Sequence, residues 1–238
     1  DAESVGLNGA AHRHFLSSFY SGEFEGSFAR GGVFQFNRAN GDRRINGTLA
    51  SLSGLEQAIE WGNEELTDLA IERILLGHAL ICGFGGLPLI YMGDELGLQN
   101  DYRYVDKPDH AGDSRWMHRP VMDWDKAERR HDLSTIEGRL YSGLSHIIRV
   151  RRQTPQLNAR YDTDIVDTGH PHVFAIANRH PLGTLACVYN FTESTQYLNI
   201  QPLYDSGVVE LYDKLSAREL SVYNDVIELA PYARLWIS

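Results

Sequence analysis

The chain has 238 residues, 42 % hydrophobic and 23 % charged, and 32 acidic against 22 basic side chains give it a formal net charge of −10. This is the make-up of an ordinary globular protein, long enough for one large or two ordinary domains. It excludes a membrane-spanning helix, which needs about 20 uncharged apolar residues in a row, and a dedicated nucleic-acid backbone binder, which needs a basic face.

In chain order, residues 1–62 are dense in glycine and aromatics, among them Phe15, Phe19, Tyr20, Phe24, Phe28, Phe34 and Phe36. Glycine allows tight turns and aromatic rings bury much area per residue. The segment therefore reads as short helices and loops, with Gly9–Tyr20 as a helix. A longer helix is expected from Glu64 to Cys82, with Glu64, Glu65 and Asp68 at its positive end and Gly83, Gly85 and Gly86 stopping it. The apolar run Leu87–Met92 reads as a strand buried on both faces, followed by Asp94 and Glu95. A polar, aspartate-rich loop runs from Gly97 to Leu133, and its tryptophans argue against disorder. Ser134 and Glu137 form a capping-box pattern opening a helix that Arg149, Arg151 and Arg152 close before Pro155.

After Arg160 the pattern becomes short alternating runs: His172–Ala177, Thr184–Phe191, Thr195–Ile200, Val208–Tyr212, Val226–Leu229 and Ala233–Ile237. Such spacing marks an antiparallel sheet or sandwich. The order helix, buried strand, long loop, helix is that of the end of a (β/α) barrel; a whole barrel would need about 250 residues by itself. Cys82 and Cys187 have no zinc spacing and read as two buried thiols. The first residue is Asp1 rather than Met, so the sequence reads as a piece of a longer protein.

The chemistry-bearing residues cluster in three places. Asp94 and Glu95 follow the expected strand, where a carboxylate serves either catalysis or a cap. The group Asp113-Ser114-Arg115-Trp116-Met117-His118-Arg119-Pro120 offers a guanidinium fork for a carboxylate or paired sugar hydroxyls, with Trp116 as a stacking surface. The same spacing also fits a loop pinned by an Asp113–Arg115 ion pair. Arg43, Arg44 and the group His12-Arg13-His14 are polar spots among the aromatics. Two histidines do not make a metal site, and no Gly-x-Ser-x-Gly elbow supports a serine nucleophile.

Several stretches resemble known motifs. Gly86-Leu87-Pro88-Leu89-Ile90-Tyr91-Met92-Gly93-Asp94-Glu95 resembles the eighth barrel strand of the α-amylase superfamily, glycoside hydrolase family 13. Phe24-Glu25-Gly26-Ser27-Phe28-Ala29-Arg30-Gly31, Gly41–Thr48 and Asp113–Pro120 are more specifically similar to the amylosucrases. The resemblance implies a fold class of α/β plus all-β: the C-terminal part of a (β/α)8 barrel with an inserted subdomain, then an antiparallel β-sandwich. The expected domains are 1–62 for the insert, 63–155 for the end of the barrel and 156–238 for the β domain.

It also implies a retaining transfer of glucose from sucrose to an α-glucan, through two carboxylates about 5–5.5 Å apart. In the family those acids, and a third that stabilises the transition state, lie upstream of Asp1. No catalytic residue, metal or cofactor is assigned here. Arg115 is expected at the base of the glucose pocket, Asp113 and Asp94 near it, and Arg44 and Arg13 on the acceptor side. Sucrose and α-glucan are the implied partners, with no nucleic acid or membrane, a homodimer left open, and a cytoplasmic location. A sucrose hydrolase or isomerase is the alternative within the class. A non-catalytic glucan-binding or dimerisation module is the alternative outside it.

Overall fold

The computed structural model describes residues 2–238. The chain divides into two compact units, one of residues up to Ala70 with Met92–Arg130, the other of Ile71–Tyr91 with His131–Ser238.

In the first unit, α1 (Gly9–Tyr20) starts where the Asn8 side chain accepts from the Ala11 amide at 2.9 Å. Its Phe19 meets Phe15, Tyr20, Phe24 and Phe28 edge-on or tilted, so aromatic rings make the local core that the glycine-rich sequence lacks in longer elements. Strands β1 (Gly32–Phe34) and β2 (Arg44–Asn46) form an antiparallel hairpin with Phe34 opposite Arg44. Two short helices follow, α2 (Leu49–Leu52) and α3 (Leu55–Glu60), and α4 (Glu64–Gly83) begins in this unit.

The long acidic loop is ordered by turns that its aspartates cap. Asp101 and Asp113 each open a 3₁₀ turn, over Tyr102–Asp106 and Ser114–His118, by accepting the amide two residues on; Asp123 opens α5 (Trp124–Glu128) in the same way three residues on. Such side-chain turns explain why a loop this polar holds one shape. A buried polar network ties it down: Tyr102 Oη donates to Glu56 Oε1 at 2.7 Å, Ser51 Oγ donates to Glu56 Oε2, and the Asn100 amide donates to Ser51 Oγ at 2.9 Å. Burial, first of all, pushes the Tyr102 hydroxyl up to about 12.

The second unit holds the rest of α4, α6 (Ile136–Arg152) and the strands β3 (Thr163–Val166), β4 (Val173–Asn178), β5 (Leu185–Asn190), β6 (Gln196–Asn199), β7 (Tyr212–Asp213), β8 (Arg218–Glu219), β9 (Val222–Tyr223), β10 (Val226–Leu229) and β11 (Arg234–Ile237), with α7 (Gln201–Asp205) after β6. One antiparallel sheet runs β3-β4-β5-β11-β7-β8 and a second runs β6-β10-β9. Ala175, Ala186 and Val188 from the first sheet share a core with Leu198, Ile227 and Leu229 from the second.

Strand β5 is buried along its whole length because its other face is covered as well. There Tyr189 Oη donates to the Ala79 carbonyl at 3.1 Å, Trp236 Nε1 donates to Tyr189 Oη at 3.3 Å, and Asn178 Nδ2 donates to the Gly83 carbonyl at 3.0 Å. The end of α4 is thus sewn onto the sheet. Arg151 of α6 donates to the Cys82 and Gly86 carbonyls, capping the orphan acceptors at the helix terminus. Cys82 and Cys187 are free and buried, and desolvation pushes the Cys187 thiol up to about 12.

Three expectations are corrected. Leu87–Met92 forms no strand: Leu87 is 92 % and Leu89 82 % exposed, and no ladder reaches the run among the described residues. An apolar run becomes a buried strand only with partners on both edges. The cap of α6 is Thr135, which accepts from the Gly138 amide at 3.0 Å, while Ser134 bonds to Asp132. Of Val208–Tyr212 only Tyr212 is paired, with Asp213 beside it.

The tightest joint of this unit gives a direct test. A β-carbon on Gly83 would stand 2.2 Å from Tyr189 Oη and 3.0 Å from Trp236 Nε1. Overpacking of this kind costs about 1–3 kcal/mol, so Gly83→Ala is expected to lower the unfolding free energy by that amount and with it the urea midpoint; an unchanged midpoint would show that the helix end is not held against the sheet.

Candidate functional site

The site is built where the Ser114–His118 turn sits on the β1–β2 hairpin. Asn46 Nδ2 donates to the Ser114 carbonyl at 2.8 Å, and Ser114 Oγ donates to the Val33 carbonyl at 3.2 Å. Buried Met117 lies against Gly32, where a β-carbon would come within 2.7 Å of the Met117 methyl. Glycine at 32 thus leaves the Met117 side chain room to lie close against the hairpin.

Seating the turn carries Arg115 over the ring of Phe34, with Cζ 5.2 Å from its centroid. Its guanidinium forks onto Asp113, Nε to Oδ1 at 2.8 Å and Nη2 to Oδ2 at 2.7 Å. Hydrogen bonds from this guanidinium, and from the Arg115 amide, hold the Asp113 carboxyl at about 2. The Nη1 group has no protein partner among the described residues, so a planar pair of donors stays available beside an aromatic face.

Arg44 stands directly opposite Phe34 in the hairpin and leaves the same face. Its neighbour Arg43, just before the strand, is committed, donating to Glu23 Oε1 at 2.7 Å and Ser18 Oγ at 2.9 Å. These partners separate an anchoring arginine from an available one. Arg44 lines a cavity of about 1600 Å³ together with Arg13, His14, Tyr20, Phe36 and Arg38. Arg13 reaches Asp42 at 3.4 Å, with both side chains largely in solvent.

Of the residues singled out from sequence, Asp113 and Arg115 pair beside Phe34 without lining the cavity, whereas Arg44, the strand partner of Phe34, lines it together with Arg13. Asp94 opens a separate 3₁₀ turn, Asp94–Leu96, and does not line that cavity. Beside it Glu95 is occupied in accepting the Gly93 amide at 2.8 Å. Trp116 is not an open stacking surface: the His110 ring lies parallel on it at 3.7 Å, and Arg119 stands 5.4 Å from its centroid.

Sequence reasoning overlooked Phe34 as the common neighbour and Arg38 in the cavity. It also overlooked a twin of the Asp113–Arg115 fork, in which Arg103 bonds Asp101 at 2.8 and 3.1 Å. The repeated Asp-x-Arg spacing is the signal that would have shown it.

Asp113 stays ionised far below neutral pH and both its oxygens are taken, so it neither donates a proton nor attacks. Among the described residues no three His, Cys, Asp or Glu side chains are placed to hold a metal ion, and no helix is long and apolar enough to cross a membrane.

Comparison with known proteins follows this geometry. Residues 164–238 match the family model for the amylosucrase C-terminal domain. Over 167 residues the chain is 28 % identical to glucosylglycerate phosphorylase of Escherichia coli (strain K12), covering 69 % of this chain and 28 % of that protein. The fold is similar to that of AmyP in complex with maltose, with a TM-score of 0.58 at 17 % identity over 78 % of this chain and 38 % of that one. It is also similar to a trehalulose synthase mutant in complex with Tris, with a TM-score of 0.51 at 15 % identity over 70 % of this chain and 38 % of that one. The chain thus spans little more than a quarter of the curated relative. Over residues 164–238 the likeness is to an amylosucrase C-terminal domain.

The fork predicts a titration. A carboxyl lowered by its partner stabilises the fold above the ordinary 3.8 and loses that contribution as pH falls through about 2. In a carbon-detected NMR titration Asp113 is expected to stay ionised until about 2, and Arg115→Gln to return it towards 3.8. The same midpoint in both proteins would mean that the fork does not form.

Proposed function

We propose that this chain is the sugar-handling, non-catalytic part of a retaining glucosyltransferase that takes glucose from sucrose and passes it to an α-glucan. Its parts are an insert over 1–62, the end of a barrel over 63–155 and a β domain over 156–238, with Leu87–Met92 gaining its edges from the rest of the barrel. The observation that carries this reading is the Arg115–Asp113 fork over Phe34, with Arg44 on the same hairpin face and Arg13 across the cavity. Arg115 has its charge balanced by Asp113 and keeps Nη1 for two ring hydroxyls, which suits recognition of a neutral sugar. Phe36 and Tyr20 would give the acceptor side apolar surface for sugar rings.

The likeness to the amylosucrase C-terminal domain and to a maltose-bound neighbour supports a glucan-type substrate. The curated phosphorylase relative favours a second reading, in which phosphate replaces the glucan as acceptor. The two differ in product: an elongated glucan or a glucose phosphate.

The test is to incubate sucrose with the chain alone and with the chain joined to its upstream coding sequence. The chain alone is expected to release no fructose. The longer protein is expected to release fructose and extend added glucan, and Arg115→Ala to lower its kcat/KM for sucrose about 100-fold, the scale of a lost positioning contact. Fructose from the chain alone, or an unchanged Arg115→Ala enzyme, would overturn the proposal.

A further inference from the structure

The cavity of the first unit has a charge pattern that a neutral sugar does not explain. Four arginines and one carboxylate line it, in a protein of net charge −10. Arg43 is spent on Glu23, and Arg13 leans on Asp42. Arg38 and Arg44 have neither an ion-pair nor a hydrogen-bond partner among the described residues, and both are exposed to the cavity rather than folded back on the protein. Two uncompensated guanidiniums facing one concavity repel each other and attract anions, and each presents a planar donor fork matched to a carboxylate or phosphate.

We infer that this cavity binds a ligand bearing an oxyanion, a phosphate or carboxylate group free or attached to a sugar or polyol, held between Arg38 and Arg44. The volume of about 1600 Å³ exceeds the roughly 300–1,000 Å³ of a usual small-molecule pocket. It therefore leaves room for sugar units beside the anionic group, with Tyr20 and Phe36 as apolar walls. That the anion acts as glucosyl acceptor rests on the function proposed above; that it binds here does not.

The experiment is calorimetric titration of the full chain with inorganic phosphate, with glycerate and with maltotriose, repeated on Arg38→Gln, Arg44→Gln and the double variant. Arg103→Gln, an exposed arginine of the same unit outside the cavity, serves as control. At least one of the two anions is expected to bind saturably, to weaken with added salt, and to lose about tenfold in affinity in each single variant, or about 1.4 kcal/mol. The control should bind as the parent does. Phosphate alone, or glycerate alone, identifies which oxyanion the site takes.

Two results would overturn the inference: no anion binding, or equal binding by a double variant that melts like the parent. Anion binding by a longer protein that transfers no glucose would instead leave the site standing and remove the acceptor role.

Discussion

The packing of the Ser114–His118 turn on the β1–β2 hairpin organises the candidate site of the first unit. Because Gly32 has no side chain, the methyl of Met117 fits against the hairpin and the Ser114–His118 turn lies down on it. Asn46 and Ser114 then lock the contact with hydrogen bonds to main-chain carbonyls. This seating places Arg115 over Phe34 with Asp113 in its fork, while the hairpin register puts Arg44 opposite the same ring. The Tyr102–Glu56 and Asn100–Ser51 hydrogen bonds hold the loop from its other end.

The second unit is organised by a different constraint. Strand β5 is covered on one face by the second sheet and on the other by the end of α4, so it has no surface left for ligand. Tyr189 Oη of β5 and Asn178 Nδ2 of the neighbouring β4 serve the helix joint, while Asn190 Nδ2 of β5 donates to the Ser194 and Ala230 carbonyls. Buried Asp213 likewise accepts the Trp236 amide at 2.8 Å and the Ser216 amide at 2.9 Å, closing a turn rather than a site. The match to the amylosucrase C-terminal domain falls within this unit, while the available arginines belong to the other.

The sequence was most legible where a local rule decides alone. Helices α4 and α6 were readable because charge marks their ends and glycine stops the first. It was least legible where the outcome depends on a neighbour. The composition of Leu87–Met92 is that of a buried strand, yet nothing among the described residues pairs with it. Ser134 and Thr135 are equally good caps in principle, and Asp132 decides between them by engaging Ser134. Arg43 and Arg44 look alike in sequence; only their partners show that Arg43 anchors α1 through Ser18 while Arg44 stands opposite Phe34 with no side-chain partner among the described residues. The resemblance to amylosucrases picked out Arg44 and Arg13, but not Arg38 or Phe34, whose importance arises from packing.

The central claim, that the turn carrying Arg115 is seated on the hairpin carrying Arg44, is tested most directly by proximity between Met117 and Gly32. With methyl-labelled methionine and labelled glycine, the chain should give a strong nuclear Overhauser effect between the Met117 methyl and the Gly32 α-protons. Absence of that cross-peak, with both resonances assigned and the protein folded, would contradict the account.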